Sequence, residues 1–467
     1  MVLDLKMSRI WCILFLGGWL ALSQGTDNPG AIIKLDIGTI DHAVSTAVAE
    51  SDILQKMAKE ATKKKPNIKP IKGISGVKVK DIRPPVITLT LLPGEGLFMA
   101  VLIRMTIAGK SFIGGNLEIT VASNLTANNK LLKDALGTPK FSSENCHFSL
   151  VSVKTNLPSS MLPKVLNKFL DNTLQKMLPG LLCPAVDAVL DLVNAKLSAM
   201  TSEISLGTAG TLQYALLNQP TTNETFIQLD LKTVLHQKEG DEIDLPTDEL
   251  PLTSLPPKKE AATQLILSAN FLSAELQVMQ ESFSLDITDN MVLGLPPLVT
   301  SMLGTVIPEI AGALPPSQPL VIAMREAKPP LVTITPEAGF VHFFNTAEFL
   351  VSPSGSAPES LFVLDVHSDL KARFVVKEEK LCISLVLDSL AEMALASSSI
   401  GTFDVLPLKG ILANIIHVAY MPSINEALQG GIPLPNLLGI KYQQAEISMS
   451  EVRMERLTCI IFFLYSV

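Results

Sequence analysis

The stretch PPVITLTLLPGEGLF runs from Pro84 to Phe98, and PPLVTITPEAGF runs from Pro329 to Phe340. The second begins 245 residues (329 − 84) after the first. After each Pro-Pro, Ile87 and Leu89 answer to Val332 and Ile334, and Thr88 and Thr90 to Thr333 and Thr335. Apolar residues alternate with threonines at period two, which is a strand pattern, and prolines are tolerated where a strand begins. A repeat at about half the chain length indicates duplicated domains, because a solenoid repeats every 20–50 residues or so.

Composition sets the outer bounds. The chain has 467 residues, enough for two domains with separate cores. Its net charge of −8 argues against nucleic acid as a partner. Hydrophobic residues make up 47 % but aromatics only 5 %, and mean hydropathy is +0.36, so the apolar content is mainly aliphatic. Such a chain either enters a membrane or has more inward-facing surface than a core consumes.

Part of the excess sits at the N-terminus. Lys6 and Arg9 precede the apolar run Ile10–Leu22, and Ser23–Gly25 supplies small residues for cleavage. Residues 1–25 read as a secretory signal peptide, too short for a good spanning helix, and direct the chain to the secretory lumen or outside the cell. Disulfides are permitted there. Cys146 and Cys183, a strand residue and a helix residue of one half, are the pair expected to bridge, stabilising the fold by roughly 3–4 kcal/mol. Cys382 and Cys459 are left either free or paired with each other. No C-x-x-C or Cys/His cluster supports a metal site. Asn124 and Asn223 head N-x-T sequons, candidates for N-glycosylation.

Along the chain, Ile33, Ile37, Ile40, Val44 and Val48 fall on one helical stripe. Lys56–Arg83 is rich in cations, including Lys63, Lys64, Lys65 and Lys69. Strands are expected at Val86–Leu92, Leu97–Ile107, Asn116–Ala122 and His147–Val153. Two amphipathic helices follow, one through Leu162–Met177 and one through Cys183–Leu197, separated by a break at Pro179-Gly180. Residues 238–262 are acidic and Pro-rich, an exposed linker between a first domain (26–237) and a second (263–467). In the second half, strands are expected at Leu265–Leu272, Ser282–Ile287, Leu361–Val366, Ala372–Lys377 and Leu381–Leu387. Helices are expected at Val299–Leu314 and around Ile411–Ala419. A strand meander covered by amphipathic helix in each half is an α+β arrangement.

Searches for catalytic motifs fail. There is no G-x-S-x-G, H-E-x-x-H or G-x-G-x-x-G opening a helix. Ala108–Ser111 (AGKS) ends like a phosphate loop, but Arg104 stands where that loop needs glycine. His342, among Phe340, Phe343 and Phe344, reads as a satisfied structural histidine. Asp365 and His367 share one strand face, yet nothing fixes a nucleophile beside them. Lys63, Lys64, Lys65 and Lys69 are candidate contacts for anionic headgroups or a charged membrane surface, where each lysine contributes about 1 kcal/mol.

Several stretches together carry a resemblance. KPIKGISGVKVKDIRPPVITL, NLPSSMLPKVLNKFLDNTLQKMLPGLLCP, FLSAELQVMQESFSLDITDNM, SSSIGTFDV and INEALQGGIPLP occur in this order. They resemble landmarks of the bactericidal/permeability-increasing, lipopolysaccharide-binding and lipid-transfer protein family. The resemblance implies a boomerang of two pseudo-symmetric domains, each a twisted antiparallel sheet wrapped on a long helix, joined by a central sheet. It implies an apolar pocket in each half for phospholipid acyl chains, a Cys146–Cys183 disulfide, no catalytic residues and no cofactor. The two Pro-Pro phrases become equivalent strands. Ile33, Ile37, Val44, Phe98, Leu166, Phe169 and Leu190 are the lipid-pocket candidates of the first half. The expected function is secreted, non-enzymatic lipid binding or transfer; the alternative is host-defence recognition of microbial lipid such as lipopolysaccharide. Bactericidal members are strongly basic, whereas this chain is basic only locally, which argues against endotoxin neutralisation. The tail after about Arg453 does not resemble the family's terminal strand.

Overall fold

The computed structural model describes residues 29–51, 74–111, 115–156, 164–238, 240, 242, 243, 245, 262–313, 317–351, 357–442, 445–452 and 457–465. The expected signal peptide, Lys63, Lys64, Lys65 and Lys69, and most of the Pro-rich linker lie outside these residues.

The first half starts with strand β1 (Ala31–Asp36) running directly into helix α1 (Ile37–Ser51). The Asp36 carboxylate accepts from the Gly38 N–H at 2.8 Å and so marks the helix start. A meander follows: β2 (Ile74–Ile82), β3 (Val86–Leu92), β4 (Gly96–Ser111), β5 (Asn116–Lys133) and β6 (Pro139–Thr155). Helix α2 (Lys164–Ser198) covers it. The chain then forms β7 (Ile204–Ser205), β8 (Gly210–Leu216), β9 (Thr221–Thr222), β10 (Phe226–Gln237) and β11 (Glu242–Ile243).

The second half repeats this order. Strand β12 (Ala262–Ser268) runs into α3 (Ala269–Val278), capped by Ser268 Oγ accepting from Phe271 N at 3.0 Å. Then come β13 (Leu285–Ile287), α4 (Thr300–Val306), β14 (Leu320–Ile334), β15 (Gly339–Val351), β16 (Glu359–Lys377) and β17 (Lys380–Ser398). Helix α5 (Lys409–Ile415) passes through a π-turn, Ile416–Tyr420, into α6 (Met421–Ala427). The chain ends in β18 (Ile432–Pro433), β19 (Glu446–Val452) and β20 (Leu457–Tyr465).

Three antiparallel sheets result. A nine-stranded central sheet has the path β19-β20-β12-β1-β10-β8-β7. At its middle β1 pairs with β12, Ile33 opposite Leu265, so each half begins at the shared centre and builds outward. β2–β6 make the N-terminal sheet and β13–β18 the C-terminal one. The meanders match around the Pro-Pro phrases. Val86, after Pro84-Pro85, faces Leu102, and Leu331, after Pro329-Pro330, faces His342. Pro84-Pro85 separates β2 from β3, which both pair with β4; Pro329-Pro330 sits in a bulge of the continuous β14. Even the helix clamps repeat. Asn194 of α2 holds both backbone groups of Phe141 on β6 (2.7 and 2.9 Å), and Asn425 of α6 holds both of Leu385 on β17 (2.8 and 2.9 Å).

The α+β class and the paired halves are as the sequence implies, with local corrections. Ile33 lies in β1, not on the helical stripe that Ile37 begins. Helix α2 is one 35-residue element with Pro179 and Pro184 inside it, not two helices. Leu174, Leu178, Leu182, Val186, Leu190, Val193 and Leu197 bury one continuous stripe, and this packing overrides the lost proline hydrogen bonds. Leu272 belongs to α3 because the Ser268 cap ends the strand. The atypical tail is an interior strand: β20 lies between β12 and β19, with Cys459–Leu464 all buried. Cys146 and Cys183 form the disulfide, Cα atoms 6.0 Å apart, tying β6 to α2. Cys382 and Cys459 are not bridged.

Candidate functional site: an apolar cleft in the N-terminal half

Strand β4 places Leu97, Met99, Val101, Ile103, Met105 and Ile107 on its inward face by strict alternation. Above them lie α1 and α2. Val48 of α1, Ile87 of β3, Val101 and Ile103 of β4, and Val186 and Val189 of α2 are among the residues lining a cleft between helices and sheet. Pro85 of the repeated phrase also lines it, and among the described residues every lining side chain is apolar. The strand amides and carbonyls of its floor are committed to the β3–β4–β5 ladders. The described lining offers an apolar group contact surface but neither charge nor side-chain hydrogen bond. Its open volume is about 30 Å³, the share of one water molecule in the liquid. A cleft of this size takes in a longer apolar group only if its walls, α1 and α2 on one side and the sheet on the other, move apart.

Of the sequence-derived pocket residues with described side chains, Ile33, Ile37, Val44, Phe98 and Leu190 are not among the residues lining this cleft. Val44 is buried one turn before Val48, and Leu190 is buried beside Val189. Ile37 is half-buried at the start of α1, and Ile33 is in the central sheet. Phe98 points to the opposite face of β4 from Met99, because successive strand residues alternate. The inward face of this strand is held by Met99, Val101 and Ile103. Leu166 and Phe169 lie in α2, with side chains outside the described residues. The sequon residue Asn124 is half-buried on the outward face of β5, whereas Asn223 lies in an exposed turn.

Two larger openings differ in chemistry. One, about 670 Å³, lies between the halves, with Ser202, Glu379, Lys380, Asn436, Lys441 and Tyr442 on its walls. The other, about 550 Å³, has Phe374, Leu387, Ile447 and Met449 as floor, and Lys371 and Arg373 at its rim. Neither is lined by the helices that bound the N-terminal cleft.

Polar groups elsewhere are structural in geometry. His342 Nδ1 lies 2.7 Å from Asp369 Oδ1 and Nε2 lies 2.9 Å from Thr333 Oγ1, across β14, β15 and β16. The order of groups is that of a nucleophilic relay, but the hydroxyl sits on a sheet face whose strands are paired in ladders, and a relay alone, with no oxyanion donors identified among the described residues, does not make an acyl-transfer site. His367 faces Glu392 at 3.2 Å, not Asp365. Among the described residues no group of three or more His, Cys, Asp or Glu could hold a metal. Glu275 of α3 is fully buried with no hydrogen-bond partner at either oxygen, and burial pushes its carboxyl up to about 8. Nearby, the Tyr214 hydroxyl donates to the carbonyl of Pro433 at 2.8 Å.

Comparison with known proteins gives this geometry a lineage. The N-terminal domain model of the LBP/BPI/CETP family matches residues 34–200, and its C-terminal domain model matches 204–457. A human protein, BPI fold-containing family B member 6, is 45 % identical over 95 % of this chain and 98 % of its own. Human BPI fold-containing family B member 4 is 34 % identical over 82 % of this chain and 63 % of its own. The crystal structure of lipopolysaccharide binding protein superposes with a TM-score of 0.56 at 19 % identity, over 94 % of this chain and 99 % of that one. The chain has the lipid-binding fold of these proteins and belongs to the LBP/BPI/CETP family.

Proposed function

We propose that this protein is a secreted, non-enzymatic carrier that holds a phospholipid by its acyl chains in the N-terminal cleft. The observation that carries the reading is the apolar lining between two helices and a sheet. Each methylene moved from water into the cleft contributes about 0.8 kcal/mol, which works against the cost of parting α1 and α2 from the sheet to admit the chain. The headgroup stays at the mouth, beside Pro85. The basic stretch begins eight residues after Val48, with Lys56, and continues through Lys63, Lys64, Lys65 and Lys69. These lysines favour an anionic headgroup or membrane surface. Of the sequons, Asn223 is the better placed to carry a glycan, being in the exposed turn.

Native mass spectrometry of the secreted, deglycosylated protein, followed by lipid extraction, tests this reading. Co-purified phospholipid is expected. Protein that emerges empty and takes no phospholipid from vesicles overturns the carrier assignment. Affinity for lipopolysaccharide that falls steeply with salt and depends on Lys63–Lys65 would instead favour microbial recognition.

A further inference from the structure

We infer that lipid loading is asymmetric: the N-terminal half carries the acyl-chain site, and the equivalent position in the C-terminal half, between β14, β15 and the helices over them, is filled by its own side chains, leaving that half only the separate opening over β16, β17 and β19. This rests on the cleft of β3, β4, α1 and α2 being the lipid site, and it assigns the second half a different role from the first.

Ladder register fixes which residues correspond. Val86 and Leu331 follow the two Pro-Pro pairs and face Leu102 and His342. From there Val101 corresponds to Val341, Ile103 to Phe343, Met105 to Asn345 and Met99 to Gly339. Pro85 and Ile87, half-buried at the N-terminal mouth, correspond to Pro330 and Val332, which are buried.

The substitutions fill or polarise the second cavity. The aliphatic Ile103 becomes Phe343, whose ring meets Phe283 edge-on with centroids 5.4 Å apart. At Gly339, where the first half has Met99, the ring of Phe374 lies so close that a Cβ would come within 2.5 Å of it. The mouth is also fastened. The Val332 N–H donates to Ser273 Oγ of α3 at 2.8 Å, which pins the helix to the strand at the position of Ile87.

Deeper in, the apolar cross-strand pair Ile82–Met105 becomes Glu326–Asn345. Asn345 is 1 % exposed and donates to the Tyr420 hydroxyl, which donates to the Phe283 carbonyl. Tyr420 ends the π-turn between α5 and α6, so this network locks the covering helix to the sheet. An acyl chain entering here would break three hydrogen bonds and meet polar groups that hydrocarbon cannot satisfy. Among the described residues no comparable polar lock lines the first cleft.

The test uses the full-length secreted protein and vesicles of equal parts phosphatidylcholine and phosphatidylserine, the lipids carrying a photoreactive acyl chain. Native mass spectrometry counts lipids per chain, and peptide mapping after illumination locates them. One lipid per chain is expected, with crosslinks on α1, β4 and α2 exceeding those on β14, β15, α5 and α6 by more than about tenfold, roughly 1.4 kcal/mol in preference. Val101→Trp should abolish loading. Two lipids per chain, or crosslinks at Val332, Val341 or Phe343 in comparable yield, overturn the asymmetry while leaving lipid binding intact. Loading that survives Val101→Trp with its crosslinks moved to the second half also overturns it. A chain that takes no lipid at all overturns both the asymmetry and the carrier reading.

Discussion

The side-chain amide of Asn345 donates to the hydroxyl of Tyr420 at 3.0 Å, and that hydroxyl donates to the Phe283 carbonyl at 2.8 Å. Three elements, β15, the π-turn and the segment before β13, are joined through one oxygen. Tyr420→Phe removes that oxygen, leaving the Asn345 amide only its long contact to the Arg325 carbonyl and taking away the donor to the buried Phe283 carbonyl. The expected cost is about 1–3 kcal/mol, read by urea unfolding, because stranded buried polar groups forfeit their hydration. Lipid loading of the N-terminal half should not change.

The paired clamps Asn194–Phe141 and Asn425–Leu385 predict matched effects. Each asparagine satisfies one strand N–H and one strand C=O that the ladder does not. Asn194→Ala and Asn425→Ala should each destabilise by about 1–3 kcal/mol. Hydrogen exchange should show faster exchange at Phe141 and Leu385 respectively, and unchanged protection there would refute the clamp.

Reducing Cys146–Cys183 opens a loop of sequence separation 37. A Cys146→Ala/Cys183→Ala double variant should lose roughly 3–4 kcal/mol, by chain entropy, in denaturant unfolding. Because the bridge holds α2 beside the cleft, the variant should also load lipid faster; a slower rate would count against helix parting as the entry step.

Glu275 makes stability depend on pH. Burial raises its carboxyl from 4.5 to about 8, so as pH rises the unfolded chain releases this proton first. Its contribution is intact below about pH 4.5 and is lost progressively towards pH 8, by about 1.4 kcal/mol per unit at the steepest. Glu275→Gln should flatten the slope of stability between pH 5 and 8, measured by urea midpoints. A slope identical to that of the parent protein would show that Glu275 is not protonated in the fold.

Truncation before Leu457 tests the tail. β20 buries Cys459–Leu464 and pairs with β12 on one side and β19 on the other. Removing it bares the apolar strand Ala262–Ser268 as a sheet edge. Aggregation and failed secretion are expected; a soluble, cooperatively folding truncation would make the strand dispensable.

The sequence by itself determined the duplication, the strand character of the Pro-Pro phrases and the covering helices, because period-two and helical patterns are local consequences of which faces are buried. It also placed Cys146 and Cys183 on a strand and a helix of one half. Tertiary structure decided the rest. Pro179 reads as a break, yet the stripe from Leu174 to Leu197 packs on one sheet and keeps α2 whole. Residues 457–465 look foreign as text but complete the central sheet, since pairing there requires backbone and apolar bulk more than any particular wording. Which of Phe98 and Met99 faces inward was decided by the register of β4 in its sheet, because a strand assigns faces by parity. The difference between the two halves was least visible of all. Ile82–Met105 and Glu326–Asn345 become comparable only when the ladders set the register, because cross-strand neighbours are distant in the chain and meet only in the folded sheet.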